Sequence, residues 1–122
     1  MIDNEFKRKH NLEERKAECA RMLEKFPDKI PVIADKLANS NLASLDRKKY
    51  LLPGDILVSQ FFSIMRKRLE LKEHTGMFVF FGDKQVLAVP SMPMAQLYQE
   101  HKDDDGFLYC YYTGENTFGS NE

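Results

Sequence analysis

The residues best suited to covalent chemistry are two cysteines, Cys19 and Cys110, and three histidines, His10, His74 and His101. A cysteine becomes a nucleophile when a neighbouring histidine takes its proton. These two cysteines are distant in sequence, form no Cys-x-x-Cys pair and have no nucleophile signature around them. We therefore expect two reduced thiols that pack as small core residues. A cysteine-dependent enzyme is the third of three alternative functions, and the other two are described at the end of this subsection.

A second set of candidate residues is acidic and lies close together near the C-terminus: Glu100, His101, Asp103, Asp104 and Asp105. Carboxylates and imidazoles bind metal ions, but this segment lacks the alternating ligands and the distal glutamate of a calcium-binding loop. We expect a solvated acidic turn, with no metal and no cofactor.

Two basic clusters, Arg47 to Lys49 and Arg66 to Arg68, are the third set of candidates. Aromatic stacking motifs are missing around both, and 18 basic against 19 acidic side chains give a formal charge of -1. Neither feature favours nucleic acid, so we expect no nucleic-acid partner and interpret the clusters as solvated faces or protein contacts.

Size and composition indicate one folded unit. The chain has 122 residues, of which 43% are hydrophobic and 30% charged, as in an ordinary globular domain. The longest apolar run, Met77 to Phe81, is far shorter than the ~20 residues that span a bilayer. The N-terminus has no signal-peptide pattern, so a cytoplasmic location is predicted.

A long helix is predicted by four apolar residues that gather on one helical face: Leu12, Cys19, Leu23 and Phe26. This helix would run from Asn11 to Phe26, with Asn11 as its cap and Glu14 three residues later. Residues 4–9 would form an extra helical turn before it.

Short β-favouring runs predict strands at residues 30–34, 49–53, 77–81, 85–89 and 107–112. Within the second strand, Tyr50 and Leu52 would share one face, while Lys49 and Leu51 would share the other. The two faces of this strand can therefore serve different purposes.

The central helix is predicted from Val58 to Leu69, with an apolar stripe at positions 58, 62, 65 and 69. Phe61 and Ile64 lie off this stripe beside Arg68, so the helix is expected to be apolar on two sides. A shorter helix is predicted from Pro93 to His101. The order helix, strand, strand, helix, strand, strand, helix, strand matches an α+β fold of the β-grasp type with an added N-terminal helical region.

Several segments resemble the autophagosomal ubiquitin-like modifiers, the family of GABARAP and the light-chain-three proteins. The matching segments are residues 14–18, 29–33, 47–53, 60–61, 66–68, 98–102, 105–109 and 114–119. Their order and spacing extend over nearly the whole chain. The resemblance implies a ubiquitin-like β-grasp with two N-terminal helices: a helical region at 1–26, the β-grasp at 27–113 and a flexible tail at 114–122.

The resemblance also implies conjugation rather than catalysis. A processing cysteine protease would cleave after Gly119, with Phe118 as its apolar handle, and release Ser120 to Glu122. Activating and conjugating enzymes would then join Gly119 to the amine of phosphatidylethanolamine on autophagosomes and cytoplasmic vesicles. Glycine suits this role because no side chain obstructs its acyl carbon.

A peptide-binding surface is the second function that the resemblance implies, for cargo receptors and adaptors with aromatic-x-x-aliphatic motifs. The aromatic pocket would be lined by Glu18, Met22, Pro31, Lys49, Leu51 and Phe107. The aliphatic pocket would be lined by Tyr50, Leu52, Pro53, Ile56, Phe61, Ile64 and Arg68. The peptide would extend beside residues 49–52, and an unconjugated peptide-binding scaffold in membrane trafficking is the second alternative for function.

Overall fold

A computed structural model describes residues 4–114. The predicted processing site at Phe118 and Gly119 lies outside the described residues. The helices are α1 (Glu5–Lys9), α2 (Leu12–Lys25), α3 (Val58–Arg68) and α4 (Met94–His101). The strands are β1 (Lys29–Lys36), β2 (Lys49–Pro53), β3 (Phe78–Phe81), β4 (Val86–Leu87) and β5 (Leu108–Thr113).

The strands form one mixed sheet in the order β2-β1-β5-β3-β4. The first and last strands of the chain, β1 and β5, are parallel neighbours at its centre, and the other pairs are antiparallel. The predicted α+β fold and the predicted element order are confirmed.

The two N-terminal helices begin at asparagine caps. The Asn4 side chain accepts a hydrogen bond from the backbone N–H of Lys7 at 3.0 Å, which starts α1. At α2, Asn11 Oδ1 accepts from Glu14 N–H and Glu14 Oε1 accepts from Asn11 N–H, each at 2.9 Å. This reciprocal capping box satisfies donors that a helix start otherwise leaves unpaired, and it confirms the predicted cap.

Each face of the sheet covers a separate hydrophobic core. The larger core packs β-strand side chains such as Val32, Leu108 and Tyr112 against α3 and α4. The smaller core contains Cys19, Ile33, Phe107, Tyr109 and Tyr111, with residues of α1 and α2 packed against it. All six residues of β5 are buried because this central strand is covered on both faces.

The structure corrects the predicted stripe of α3. Phe61 is fully buried together with Val58 and Met65, whereas Phe62 and Ile64 are half-buried. Spacings of three and four both keep residues on one helical face, so the periodicity did not distinguish Phe61 from Phe62. Phe61 lies in the larger core, where its ring packs edge-on against that of Tyr50, with ring centroids 5.8 Å apart.

The segment predicted as a strand at 85–89 is also shorter than expected. Only Val86 and Leu87 pair with β3, opposite Phe81 and Phe80. Gln85 has a φ of 53°, a left-handed conformation that belongs to a turn and not to a strand. Pro93 lies one residue before α4 as its N-cap rather than inside its first turn.

Candidate peptide-binding surface

Strand β2 stands at one edge of the sheet that the described residues form. The Ala34 N–H donates to the Lys48 carbonyl at 2.7 Å, so this opposed pair is hydrogen-bonded. Along two antiparallel strands, hydrogen-bonded pairs alternate with pairs that are not hydrogen-bonded. The backbone groups of Tyr50 and Leu52, two and four residues after Lys48, therefore also point toward β1. The N–H and C=O groups of Lys49 and Leu51 consequently point out from the sheet edge.

The side chains of β2 alternate between the two faces, as predicted. Tyr50 and Leu52 are buried in the larger core, at 6% and 4% exposure. Lys49 is exposed and Leu51 is half-buried on the opposite face, which α2 covers in part. One face of β2 thus meets α3 and the other meets the N-terminal helices.

On the α2 side, three of the predicted aromatic-pocket residues, Leu51, Pro31 and Phe107, lie in one row across the sheet. Leu51 is the register partner of Pro31, and Phe107 directly precedes Leu108, the partner of Val32. Phe107 is fully buried, and half-buried Met22 of α2 packs against the same core.

Lys49 and Glu18 form an ion pair between β2 and α2 at the side of this row. The Lys49 ammonium also lies 5.0 Å from the centre of the Phe6 ring. Partial burial lowers the pKa of Lys49 from its ordinary value. The pair therefore places one cation and one carboxylate next to apolar surface.

Phe6 is a member of this region that the sequence analysis missed. Its ring packs edge-on against Phe107, with centroids 5.5 Å apart, and lies next to Lys49. A signal was available, because Phe6 is the single apolar residue of α1, Glu5–Lys9. An amphipathic helical turn with one aromatic residue has to bury that residue somewhere.

On the α3 side, the predicted aliphatic-pocket residues form a buried base with an accessible rim. Tyr50, Leu52 and Phe61 belong to the larger core, and half-buried Ile56 and Ile64 pack against it. The rim also contains exposed Pro53 and Arg68. The Arg68 guanidinium binds the Asp46 carboxylate, with N–O distances of 3.1–3.2 Å.

The acidic turn is a structural element instead of a solvated surface, which corrects the prediction. Asp105 is 3% exposed and binds Arg15 Nε at 2.8 Å and the Tyr109 hydroxyl at 2.5 Å through Oδ2. Its other oxygen accepts the Phe107 N–H at 2.8 Å. These bonds join α2 to the segment that carries Phe107.

Asp103 performs a similar task for α1. Lys7 Nζ lies 2.7 Å from Asp103 Oδ1. Burial is the largest single influence and favours the neutral acid, but the hydrogen bonds from Lys7 and the Asp105 N–H, together with the charges of Lys7 and Arg15, outweigh it and hold the pKa of Asp103 below its ordinary value. Within residues 4–114, no group of three or more histidine, cysteine or acidic side chains is arranged to hold a metal ion.

The two cysteines are buried free thiols, as predicted. Burial raises the pKa of Cys19 to about 11, and it raises the pKa of fully buried Cys110 as well. A nucleophilic cysteine has its pKa lowered by nearby positive charge, which is the opposite condition. Neither environment favours a thiolate.

The mixed sheet, its central parallel pair and the helix α3 packed across it define a ubiquitin-like protein of the β-grasp type. A family model described as "Autophagy protein Atg8 ubiquitin like" matches residues 14–119. The chain belongs to the Atg8 family and is a ubiquitin-like autophagy protein.

Relatives and a solved structure agree over nearly the full length. The chain is 48% identical to autophagy-related protein 8d of Arabidopsis thaliana, covering 98% of each chain. It is 47% identical to autophagy-related protein 8 of Coccidioides immitis, covering 96% of this chain and 98% of the relative. A crystal structure of Trypanosoma brucei ATG8 superposes with a TM-score of 0.86 at 41% identity, covering 96% of this chain and 99% of that chain.

None of the helices between residues 4 and 114 combines the length and apolar character needed to cross a bilayer.

Proposed function

We propose that this protein is a ubiquitin-like modifier that is cleaved after Gly119 and joined through that residue to phosphatidylethanolamine. The observation that carries the proposal is family membership with a match that extends through residue 119, a glycine. Hydrolysis of the peptide bond between Gly119 and Ser120 would free the carboxyl group. A partner enzyme would use ATP to adenylate this carboxyl group, releasing pyrophosphate, and a partner cysteine would displace AMP to form a thioester. The lipid amine would then displace the thiol and form an amide.

The cysteine nucleophiles of these steps would belong to the partners: the processing protease, the activating enzyme and the conjugating enzyme. The buried thiols of this chain, with their raised pKa values, are poor candidates for such a role. Phosphatidylethanolamine carries two acyl chains, which is the number that gives stable membrane anchoring. Conjugation would therefore move the protein from the cytoplasm to autophagosomes and cytoplasmic vesicles.

Intact-mass spectrometry of the protein from starved cells tests this proposal. We expect a species that ends at Gly119 and carries the mass of phosphatidylethanolamine, and we expect Gly119→Ala to abolish it. Persistent absence of both the cleaved and the lipidated species in the wild type would rule the proposal out.

We further propose that β2 and its two flanking surfaces bind extended peptides with an aromatic residue and, three positions later, an aliphatic one. The outward backbone groups of Lys49 and Leu51 can pair with an added strand, which is how β-augmentation gains affinity. Residues three apart in a strand point to opposite faces. The candidate aromatic and aliphatic pockets likewise lie on opposite faces of β2.

The charges around this surface support acidic residues next to the motif. Lys49 and Arg68 are held by Glu18 and Asp46, and both carboxylates belong to this chain. A ligand carboxylate could exchange with either partner at the exposed edge, and salt should weaken that contact. Cargo receptors and autophagy adaptors would be the bound class.

A peptide-binding scaffold that is never conjugated is the second candidate. It is favoured by one observation: every proposed pocket residue lies between Glu18 and Phe107, so the peptide-binding surface needs no residue of the C-terminal tail. The scaffold predicts that Gly119→Ala leaves recruitment to membranes unchanged. Loss of membrane puncta in this variant, with peptide affinity retained, would exclude it.

A further inference from the structure

The end of β5 is held by the loop that follows β1. The Leu37 N–H donates to the Tyr112 carbonyl at 2.9 Å. The Tyr112 hydroxyl donates to the Ala43 carbonyl at 2.7 Å and accepts from the Leu45 N–H at 2.9 Å. The loop thereby binds both the backbone and the side chain of the last strand.

The same loop holds the first residue after β5. Gly114 is buried, and its N–H donates to Ser40 Oγ at 3.2 Å. Ser40 Oγ also accepts the Leu42 N–H at 3.1 Å, and the Ser40 N–H donates to the Leu37 carbonyl at 3.0 Å. Ser40 is therefore fixed from two sides while it holds Gly114.

Gly114 lies in close contact with the exposed Asn41 side chain. A Cβ atom there would lie 2.5 Å from Asn41 Oδ1 and 3.4 Å from Leu42 Cγ. The first distance is shorter than any ordinary contact, so a side chain at 114 would displace either Asn41 or the backbone. We call Ser40, Asn41 and Gly114 the exit clamp.

The exit clamp borders an open cleft of about 300 Å³ whose other wall is the segment from Lys72 to Gly76. Arg66 holds this wall by donating to the Thr75 carbonyl at 2.7 Å and to the Lys72 carbonyl at 2.8 Å. Both walls are thus fixed by hydrogen bonds from within the domain.

The distance along the chain connects this clamp to the proposed chemistry. Gly119 follows Gly114 by five residues. Five residues span at most ~17 Å when fully extended. An enzyme that acts on the Gly119 carbonyl must therefore work close to the exit clamp, and the direction in which the chain leaves Gly114 limits where that carbonyl can go.

We infer that Ser40, Asn41 and Gly114 are positioning residues that aim the C-terminal segment at the enzymes that process and conjugate it. This inference rests on the proposed function. It assigns the loop after β1 a role in presenting the reacting glycine, separate from the peptide-binding surface at β2.

Cleavage kinetics with the purified processing protease test the inference. Gly114→Ala should lower kcat/KM for release of residues 120–122 by roughly tenfold or more, because a displaced scissile bond is poorly aligned for attack. The second change Asn41→Ala removes the clashing oxygen, so the double variant should recover most of the loss. Ser40→Ala should be impaired, and Ser40→Thr, which retains the hydroxyl group, should cleave like the wild type.

Two controls distinguish a misplaced scissile bond from a loss of protein stability and from direct recognition of residue 114 by the protease. The thermal midpoint of each variant is measured, and cleavage is assayed well below it, where unfolding makes no contribution. Synthetic peptides of residues 110–122, with Gly or Ala at position 114, should be cleaved equally because they lack the clamp.

Each outcome decides the matter. If the Gly114→Ala protein is cleaved like the wild type, the inference about the exit clamp is wrong but the proposed function stands. The same conclusion follows if the two synthetic peptides reproduce the defect. A defect that disappears at lower temperature together with the unfolded fraction also overturns that inference. A wild-type chain that is never cleaved after Gly119 overturns the proposed function and the clamp with it.

Discussion

Cys19 and Cys110 occupy the interior, one in each hydrophobic core. Raised pKa values and burial should make both unreactive in the folded protein. We expect a thiol reagent at pH 8 to label neither cysteine in native buffer within minutes and to label both in guanidinium chloride. Rapid labelling of Cys19 in the native protein would show that the N-terminal helices open frequently.

The Asp105 carboxylate joins α2 to β5 through Arg15 and Tyr109. Replacing Asp105 with asparagine keeps its size but leaves Arg15, whose side chain is only 12% exposed, without its carboxylate. Breaking such a buried pair costs several kcal/mol, so Asp105→Asn should lower the free energy of unfolding by about 3 kcal/mol.

Urea denaturation measures this difference. Asp104→Asn is the matched control, because Asp104 is exposed in the same turn, and it should change the free energy of unfolding by less than about 0.5 kcal/mol. Equal effects of the two substitutions would contradict the structural role assigned to Asp105.

At the scale of single elements, α1 is attached to the domain partly by charge. Lys7 binds Asp103, and Lys48 binds Glu5 with 3.1 Å between Nζ and Oε1. Hydrogen bonds from Lys9 and then Lys48 lower the pKa of Glu5 to about 2. A carboxyl group with a lowered pKa stabilises the fold above its unfolded pKa and loses that contribution as the pH falls through the folded value.

The Lys7 to Asp103 pair allows a direct test of this sign. Lys7→Met should lower the free energy of unfolding by about 1 kcal/mol at pH 6. The difference from the wild type should shrink as the pH falls below the ordinary Asp103 pKa of 3.8. Urea titrations of both proteins at several pH values measure it, and a difference that grows on acidification would contradict the assignment.

Because β2 lies at the edge of the sheet, we expect a bound peptide to depend on backbone hydrogen bonds to this strand. N-methylation of a peptide amide that faces β2 removes one backbone hydrogen bond and adds a clash, so affinity should fall roughly tenfold or more. N-methylation of the next amide, which faces solvent, is the matched control and should have little effect. Isothermal titration with both peptides measures this, and equal losses would argue against strand addition.

Local signals determined which elements could be predicted. The capping box of Asn11 and Glu14 lies within four residues, so the start of α2 was visible in the sequence. The two faces of β2 followed from strict alternation. The core stripe of α3 was misassigned, because Phe61 and Phe62 are adjacent and only tertiary packing, including the contact of Phe61 with Tyr50, distinguishes them.

The site was predictable to a similar extent. Its strand and most of its apolar residues could be named, but contacts between distant segments could not. Arg15 and Asp105 are 90 positions apart, and no local pattern connects them. Phe6 and Phe107 are likewise distant in sequence, so the aromatic packing beneath Lys49 became visible only in three dimensions.

At the scale of the whole molecule, the sheet keeps the two proposed activities apart. Peptide binding would use β2 at the edge, whereas conjugation would use the segment that follows β5 at the centre. The strand β1 lies between them and pairs with both. Attachment to a membrane and recruitment of partners should therefore depend on different residues.

Two variants test this separation. Gly119→Ala should abolish cleavage and lipidation but leave the dissociation constant for an aromatic-x-x-aliphatic peptide within about twofold of the wild type, because its pockets lie elsewhere. Ile64→Ala removes half-buried apolar surface from the α3 side and should weaken that peptide roughly tenfold. Fluorescence polarisation with a labelled peptide measures both. A Gly119→Ala protein with much weaker peptide binding would show that the C-terminal segment contributes to the peptide site, and the two activities would then be coupled rather than separate.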